Sequence, residues 1–275
     1  MDQSLKNAPI GVTDSGVGGL TVVRELQKLL PGEDIVYFGD GANCPYGNRS
    51  REELETLLAR NVAFLREQGV KAVVVACNTT SALVDSAPHD FGVPLFTIIA
   101  PAAQAVKRCR ARKVGLLATE FTVRSGCYEK RIHELCPDVQ LVAKGSPSLA
   151  GLIDGGAFDD AAINAEIFAQ VGDIIAREPV THLILGCTHY PIVEENFRAC
   201  FPFVQLIDPA REEALAVSIA LSAENLVRPA AAGERGRFEV YTSGDPAVYE
   251  KVAARLRLFP PDKTEKLSVE SLRKG

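Results

Sequence analysis

The stretch VKAVVVACNTT, Val70 to Thr80, is a near-continuous Val-rich run that ends on a cysteine followed by three small polar residues. A strand that is apolar on both faces belongs in a parallel sheet covered by helices, since a half-exposed strand would alternate polar and apolar positions. Comparable short apolar runs lie on either side of it, at Ile10–Val12, Ile35–Phe38 and Leu95–Ile99. Between them the period changes to that of a helix. Leu20, Val23, Leu26, Leu29 and Leu30 recur at helical spacing, and Ser50 with Glu53 forms a capping box for a helix running to Gln68, ahead of Gly69. Strands alternating with helices of this length specify βαβ units and a mostly parallel α/β architecture.

After Pro101 the same alternation begins again. Helices are expected at Ala102–Cys109, Ser125–Leu135, Ala161–Arg177, Val193–Cys200, Glu212–Leu226 and Ala247–Leu256. Strands are expected at Lys113–Ala118, Val139–Ala143, His182–Leu185, Val204–Ile207 and Phe238–Thr242. The segment 145–156 reads as a polar, Gly-rich stretch, and the polar tail after Phe259 as peripheral. The whole divides into two α/β lobes, one discontinuous (1–99 plus 209–275) and one central (100–208), with a cleft between them.

Composition narrows the function. The chain has 275 residues, 47% of them hydrophobic and 24% charged, enough for large cores, and a formal charge of −5 provides no basic field for nucleic acid. No apolar run is long enough to span a bilayer and the first ten residues lack a secretory pattern, so no membrane partner is expected and a cytoplasmic location is. An odd count of seven cysteines argues for free thiols, and the absence of any CxxC removes the common structural zinc spacings and the thioredoxin-type pair.

In open parallel sheets, ligands gather beyond the carboxyl ends of the strands. Four such ends carry polar chemistry: TDSGVGG (13–19), GDGANCPYG (39–47), ACNTT (76–80) and GCTHYP (186–191). The glycine turn matches neither GxGxxG nor the P-loop, so a nucleotide site has little support, and alone it reads as a turn capped by Asp14. Cys44 sits in a Pro/Gly loop with nothing to separate it from a packing cysteine. Cys77 and Cys187 differ from the other five. Each ends an apolar strand, 110 residues apart, with threonine close behind, and His189 and Tyr190 follow the second. Two thiols facing each other across a cleft suit the removal of a proton from one face of a carbon and its delivery to the other, the protonation of each set by a neighbouring acid or imidazole.

The motifs DSGVGG, CPYG, ACNTT and GCTHYP, in this order and spacing, resemble those of the glutamate racemases, within the cofactor-independent aspartate/glutamate racemase family. The similarity runs from Ile10 to Asp208, with a weaker echo in TSGD at 242–245. The resemblance implies two pseudo-symmetric lobes, no cofactor and no metal, glutamate as the small-molecule substrate, a homodimer, and D-glutamate made for the cell wall. It implies Cys77 as acid/base toward D-glutamate, assisted by Asp14, and Cys187 toward L-glutamate, assisted by His189. Substrate would be held by Asp14, Ser15, Tyr46, Gly47, Asn78, Thr79, Thr188 and His189, with Thr119 and Thr122 from the second lobe. Thr13 stands where an aromatic is common, Ser146 where a Cys is frequent, and Asp154 where a Glu, one methylene longer, is usual. An aspartate racemase, an amino-acid-binding module without turnover, and a cysteine hydrolase built on Cys187 and His189 are the alternatives.

Overall fold

A computed structural model describes residues 3–87, 89–155, 160–231 and 233–268. Two separate, wholly parallel sheets carry the fold. The first contains β1 (Ile10–Asp14), β2 (Ile35–Gly39), β3 (Ala72–Val75), β4 (Leu95–Thr97), β9 (Phe238–Thr242) and β10 (Lys263–Lys266), in the order β10-β9-β2-β1-β3-β4. The second contains β5 (Lys113–Ala118), β6 (Gln140–Gly145), β7 (His182–Gly186) and β8 (Gln205–Ile207), in the order β6-β5-β7-β8. All residues of β1, β2 and β3 are buried, as the doubly apolar runs require. Phe238–Thr242 pairs with Ile35–Gly39, so the chain returns late to widen the first sheet. Helix Pro209–Ala223 packs on both Leu20–Leu29 and Ile99–Cys109, tying the two sheets together through a shared core. Among the described residues no helix is long and apolar enough to cross a membrane.

Four local expectations are corrected. The strand expected at Leu95–Ile99 stops at Thr97, and Ile99 already begins the helix Ile99–Cys109, with Pro101 inside its first turn. Proline is tolerated there because a first-turn N–H has no intrahelical acceptor to lose. The helix expected at Ser125–Leu135 starts at Cys127, and a separate helix that was not expected, Glu120–Ser125, precedes it across Gly126, whose φ of +66° is left-handed. The segment 145–156, whose last residue lies outside the described ones, contains a helix, Leu149–Asp154. The tail beyond Phe259 supplies β10, which pairs with β9. Its polar side chains are those of a sheet edge with little to bury, which is why it lacked an apolar signature.

The capping box forms as expected: Glu53 N–H donates to Ser50 Oγ at 3.2 Å, and Ser50 N–H to Glu53 Oε2 at 2.8 Å. It fixes the start of helix Arg51–Glu67, whose Arg60 and Asn61 reach beneath the 40–47 loop.

Candidate active site

The carboxyl ends of β1, β3 and β7 converge. Asp14 closes β1, Cys77 follows β3 as the N-cap of helix Asn78–Ser86, and Cys187 follows β7. All three are buried, and Asp14 is only 1% exposed. The two sheets meet here through direct hydrogen bonds. Thr188 Oγ1 donates to Asp14 Oδ1 at 3.0 Å, and Val17 N–H donates to Asp154 Oδ1, also at 3.0 Å. This contact explains the glycine turn better than any nucleotide would. A Cβ on Gly16 would collide with the Asp154 carboxylate. One on Gly18 would collide with Thr188 Oγ1 and stand 2.7 Å from His189 Nδ1 and 2.8 Å from the His189 backbone nitrogen. Gly16 and Gly18 carry no side chain because Asp154, Thr188 and His189, from around the second sheet, lie against them.

Around Cys187, the Sγ is 3.7 Å from His189 Nδ1, and the opposite ring nitrogen, Nε2, is 2.8 Å from Asp154 Oδ1. Asp154, on the helix not anticipated from sequence, therefore reaches the imidazole despite being one methylene shorter than Glu. Burial alone would lower the basicity of His189, but hydrogen bonds to Asp154, Cys187 and Cys44 carry it well above the ordinary histidine range. Burial likewise opposes charge on Asp154, yet its bond and attraction to His189 bring it below the usual carboxylate range. The imidazole is held as a cation beside a carboxylate, positioned to exchange a proton with Cys187.

Around Cys77 the balance differs. Burial, with the nearby Asp14 charge adding to it, pushes the thiol up to about 11. Asp14 is raised by burial too, an effect the charge of His189, the Gly16 N–H and the Thr188 hydroxyl only partly offset. Cys77 is thus a protonated thiol at rest, with a carboxyl group of increased basicity next to it.

Polar groups crowd the same strand ends. Asn78 Oδ1 accepts from Tyr128 OH at 2.6 Å, while its Nδ2 is buried without a partner among the described residues. Thr79, Thr119 and Thr122 form a hydroxyl chain across the two sheets, with Oγ1 separations of 3.0 and 2.9 Å. Ser15 is buried in the turn after β1. Gly47 lies so close to Thr119 that a Cβ would stand 2.6 Å from the threonine Cβ. The Tyr46 hydroxyl donates to Asp40 Oδ2 at 2.5 Å and accepts from Asn61 at 3.2 Å, so this residue has only backbone to offer a ligand. Fully buried Asp40 also accepts from Ser243 Oγ at 2.6 Å, from Asn43 and from Arg60, anchoring the loop and the TSGD segment together.

Three residues gain a place that sequence reading did not give them. Cys44 lies within hydrogen-bonding reach of both His189 and Asp154. Burial raises its thiol to about 12, with His189 opposing and the Asp154 and Asp14 charges adding. Nothing in CPYG announces this, since the partners lie more than 100 residues away. Glu120 rests its carboxyl over Gly145 at the end of β6, where a Cβ would be 2.5 Å from the carboxyl carbon. Ser146 Oγ donates to Glu166 at 2.7 Å and accepts from Leu149 N–H, holding the start of the helix that carries Asp154.

The Asp/Glu/hydantoin racemase family model matches residues 10–217. The curated glutamate racemase of Thermus thermophilus is 42% identical over 250 residues, covering 90% of this chain and 92% of that protein. A solved glutamate racemase isoform from Bacillus anthracis superposes with a TM-score of 0.86 at 32% identity, covering 96% of this chain and 98% of its own. A glutamate racemase from Francisella tularensis, in complex with D-glutamate, has a TM-score of 0.83 at 30% identity, covering 97% of this chain and 99% of that one.

Proposed function

This chain belongs to the Asp/Glu/hydantoin racemase family, and from that premise we propose that it interconverts L- and D-glutamate by cofactor-independent proton transfer between Cys77 and Cys187. In this reading one sulfur, as thiolate, takes the Cα proton. The bonding pair passes into an enediolate-like carboxylate, and the opposite thiol gives its proton to the other face. Cys77 acts on D-glutamate and Cys187 on L-glutamate. Each turnover leaves the two sulfurs with exchanged protonation states, which Asp14 on one side and the His189–Asp154 pair on the other return to the start. No proton is gained or lost overall.

Developing negative charge on the substrate carboxylate calls for fixed donors in a dry site. The unpartnered Asn78 Nδ2, the hydroxyls of Ser15, Thr79 and Thr188, and the backbone N–H groups opening helix Asn78–Ser86 supply them. Thr119 and Thr122 extend the set from the second lobe, and Tyr46 and Gly47 add backbone groups. One placement carries the reading: two buried cysteines end interior strands of different sheets, each with its own proton-handling neighbour. A cysteine hydrolase would leave Cys77 without a task. D-Glutamate made here would enter peptidoglycan synthesis, and the working form would be a homodimer, checked by sedimentation.

The test is loss of the Cα proton signal in D₂O with no added cofactor, run on each enantiomer of glutamate and, in parallel, of aspartate. Both glutamate enantiomers should exchange faster than aspartate. Cys77→Ser and Cys187→Ser should each lower racemisation by about 10²- to 10⁴-fold, the usual worth of a positioned acid or base, with circular dichroism unchanged. If neither glutamate enantiomer exchanges with the intact protein, the reading is wrong.

A further inference from the structure

Cys44 takes no part in the proton transfer proposed above, yet its sulfur belongs to a compact donor set. One ligand atom each from Cys44, Asp154 and His189 lies within 4.8 Å of the other two. His189 is buried, and Cys44 and Asp154 are half-buried. A tetrahedral zinc ion places thiolate, imidazole and carboxylate donors roughly 3.3–3.6 Å from one another. Asp154 Oδ1 and His189 Nε2, now 2.8 Å apart, need to part by a few tenths of an ångström, and the sulfur to move in by no more than about 1.5 Å.

We propose that Cys44, Asp154 and His189 form an inhibitory site for a borderline-soft divalent cation of the zinc class, closed by three protein ligands with a fourth position open to the cleft. The mixed sulfur, nitrogen and oxygen donors select zinc over magnesium or calcium, which prefer all-oxygen shells. Coordination is balanced by protons. The Cys44 thiol gives up its proton as sulfur takes the metal, and His189 gives up the one on Nε2, both passing to solvent.

The geometry explains why binding would inhibit. The two ring nitrogens of His189 point in opposite directions, Nε2 toward Asp154 and Nδ1 toward Cys187. A metal on Nε2 displaces the proton there and removes Asp154 from its partner, so the ring no longer holds the Asp154-supported charge from which it exchanges a proton with Cys187. Cys187 itself stays outside the coordination sphere, on the far edge of the ring. The inhibition depends on the racemase reading given above; the metal binding does not.

Two measurements separate them. Equilibrium dialysis against micromolar free Zn²⁺ should find one ion per chain in the intact protein, and at least tenfold weaker binding in Cys44→Ala and in Asp154→Asn. Co²⁺ substitution should give a thiolate charge-transfer band that Cys44→Ala loses and Cys187→Ser keeps. In the exchange assay, micromolar Zn²⁺ should inhibit the intact protein reversibly on chelation. Cys44→Ala, referred to its own zinc-free rate, should resist at least tenfold more Zn²⁺, and Mg²⁺ should do nothing to either. Undiminished zinc binding in Cys44→Ala, with folding verified by circular dichroism, would place the ion elsewhere and overturn the proposal. So would absence of binding at micromolar zinc. Binding that follows Cys44 in a protein with no exchange activity would uphold the site and refute the racemase reading alone.

Discussion

Replacing Glu213 by Gln should make the protein progressively more stable relative to its parent as pH rises. Glu213 lies on helix Pro209–Ala223 with no exposed surface, and neither carboxyl oxygen has a hydrogen-bond partner among the described residues. Burial, together with the negative charges of Asp14 and Asp85, holds its pKa well above the usual carboxylate range. The folded protein therefore keeps this group protonated under conditions where the unfolded chain, with a glutamate pKa of about 4.3, has lost the proton. The contribution of this residue is fully present below that unfolded value and declines as pH rises toward the folded one. Above the unfolded value the deficit grows by about 1.4 kcal/mol per pH unit, for as long as the folded carboxyl stays protonated. A glutamine needs no proton at any pH. Whatever its amide costs in burial is the same at each pH, so the slope is the diagnostic quantity. Urea unfolding of both proteins at pH 5, 6 and 7 reads it directly. Parallel stability curves would refute the reasoning, because they would mean that Glu213 is ionised in the folded state and has a partner the structure does not give it.

Two further perturbations probe the contact between the sheets. Gly18→Ala drives a methyl group into Thr188 and the His189 backbone, and overpacking of this kind costs about 1–3 kcal/mol; the displaced His189 should lower kcat at least tenfold, and an unchanged kcat would show that the turn can yield. Thr188→Val keeps the shape but deprives buried Asp14 of a donor at 3.0 Å, a loss of about 1–3 kcal/mol in thermal or urea unfolding, with KM and kcat both affected; wild-type stability would show that Asp14 is satisfied another way.

Most of the architecture was legible in the chain because it rests on local periodicity. The doubly apolar runs at β1, β2 and β3, the capping box at Ser50 and the late strand Phe238–Thr242 all stand where their patterns place them. The elements that escaped are those without such a pattern. Helix Leu149–Asp154 is short and its flanks are glycine-rich, and β10 is an edge strand made of Lys, Thr and Glu. Helix Glu120–Ser125 escaped as well, being six residues long and ended by the left-handed Gly126.

The sequence by itself determined that two cysteines end two buried strands, and which polar residues follow each of them, because side-chain period and strand termination are properties of neighbouring residues. Only the tertiary structure decided what those groups touch. Asp154 meets His189 from 35 positions away, Thr188 meets Asp14 from 174, and Cys44 joins the His189 side rather than packing anonymously. Protonation follows from these encounters, since burial and opposite charge act through space and not along the chain. Gly16 and Gly18 show the same division: the chain reveals a tight turn, and the fold reveals that their missing side chains make room for Asp154, Thr188 and His189.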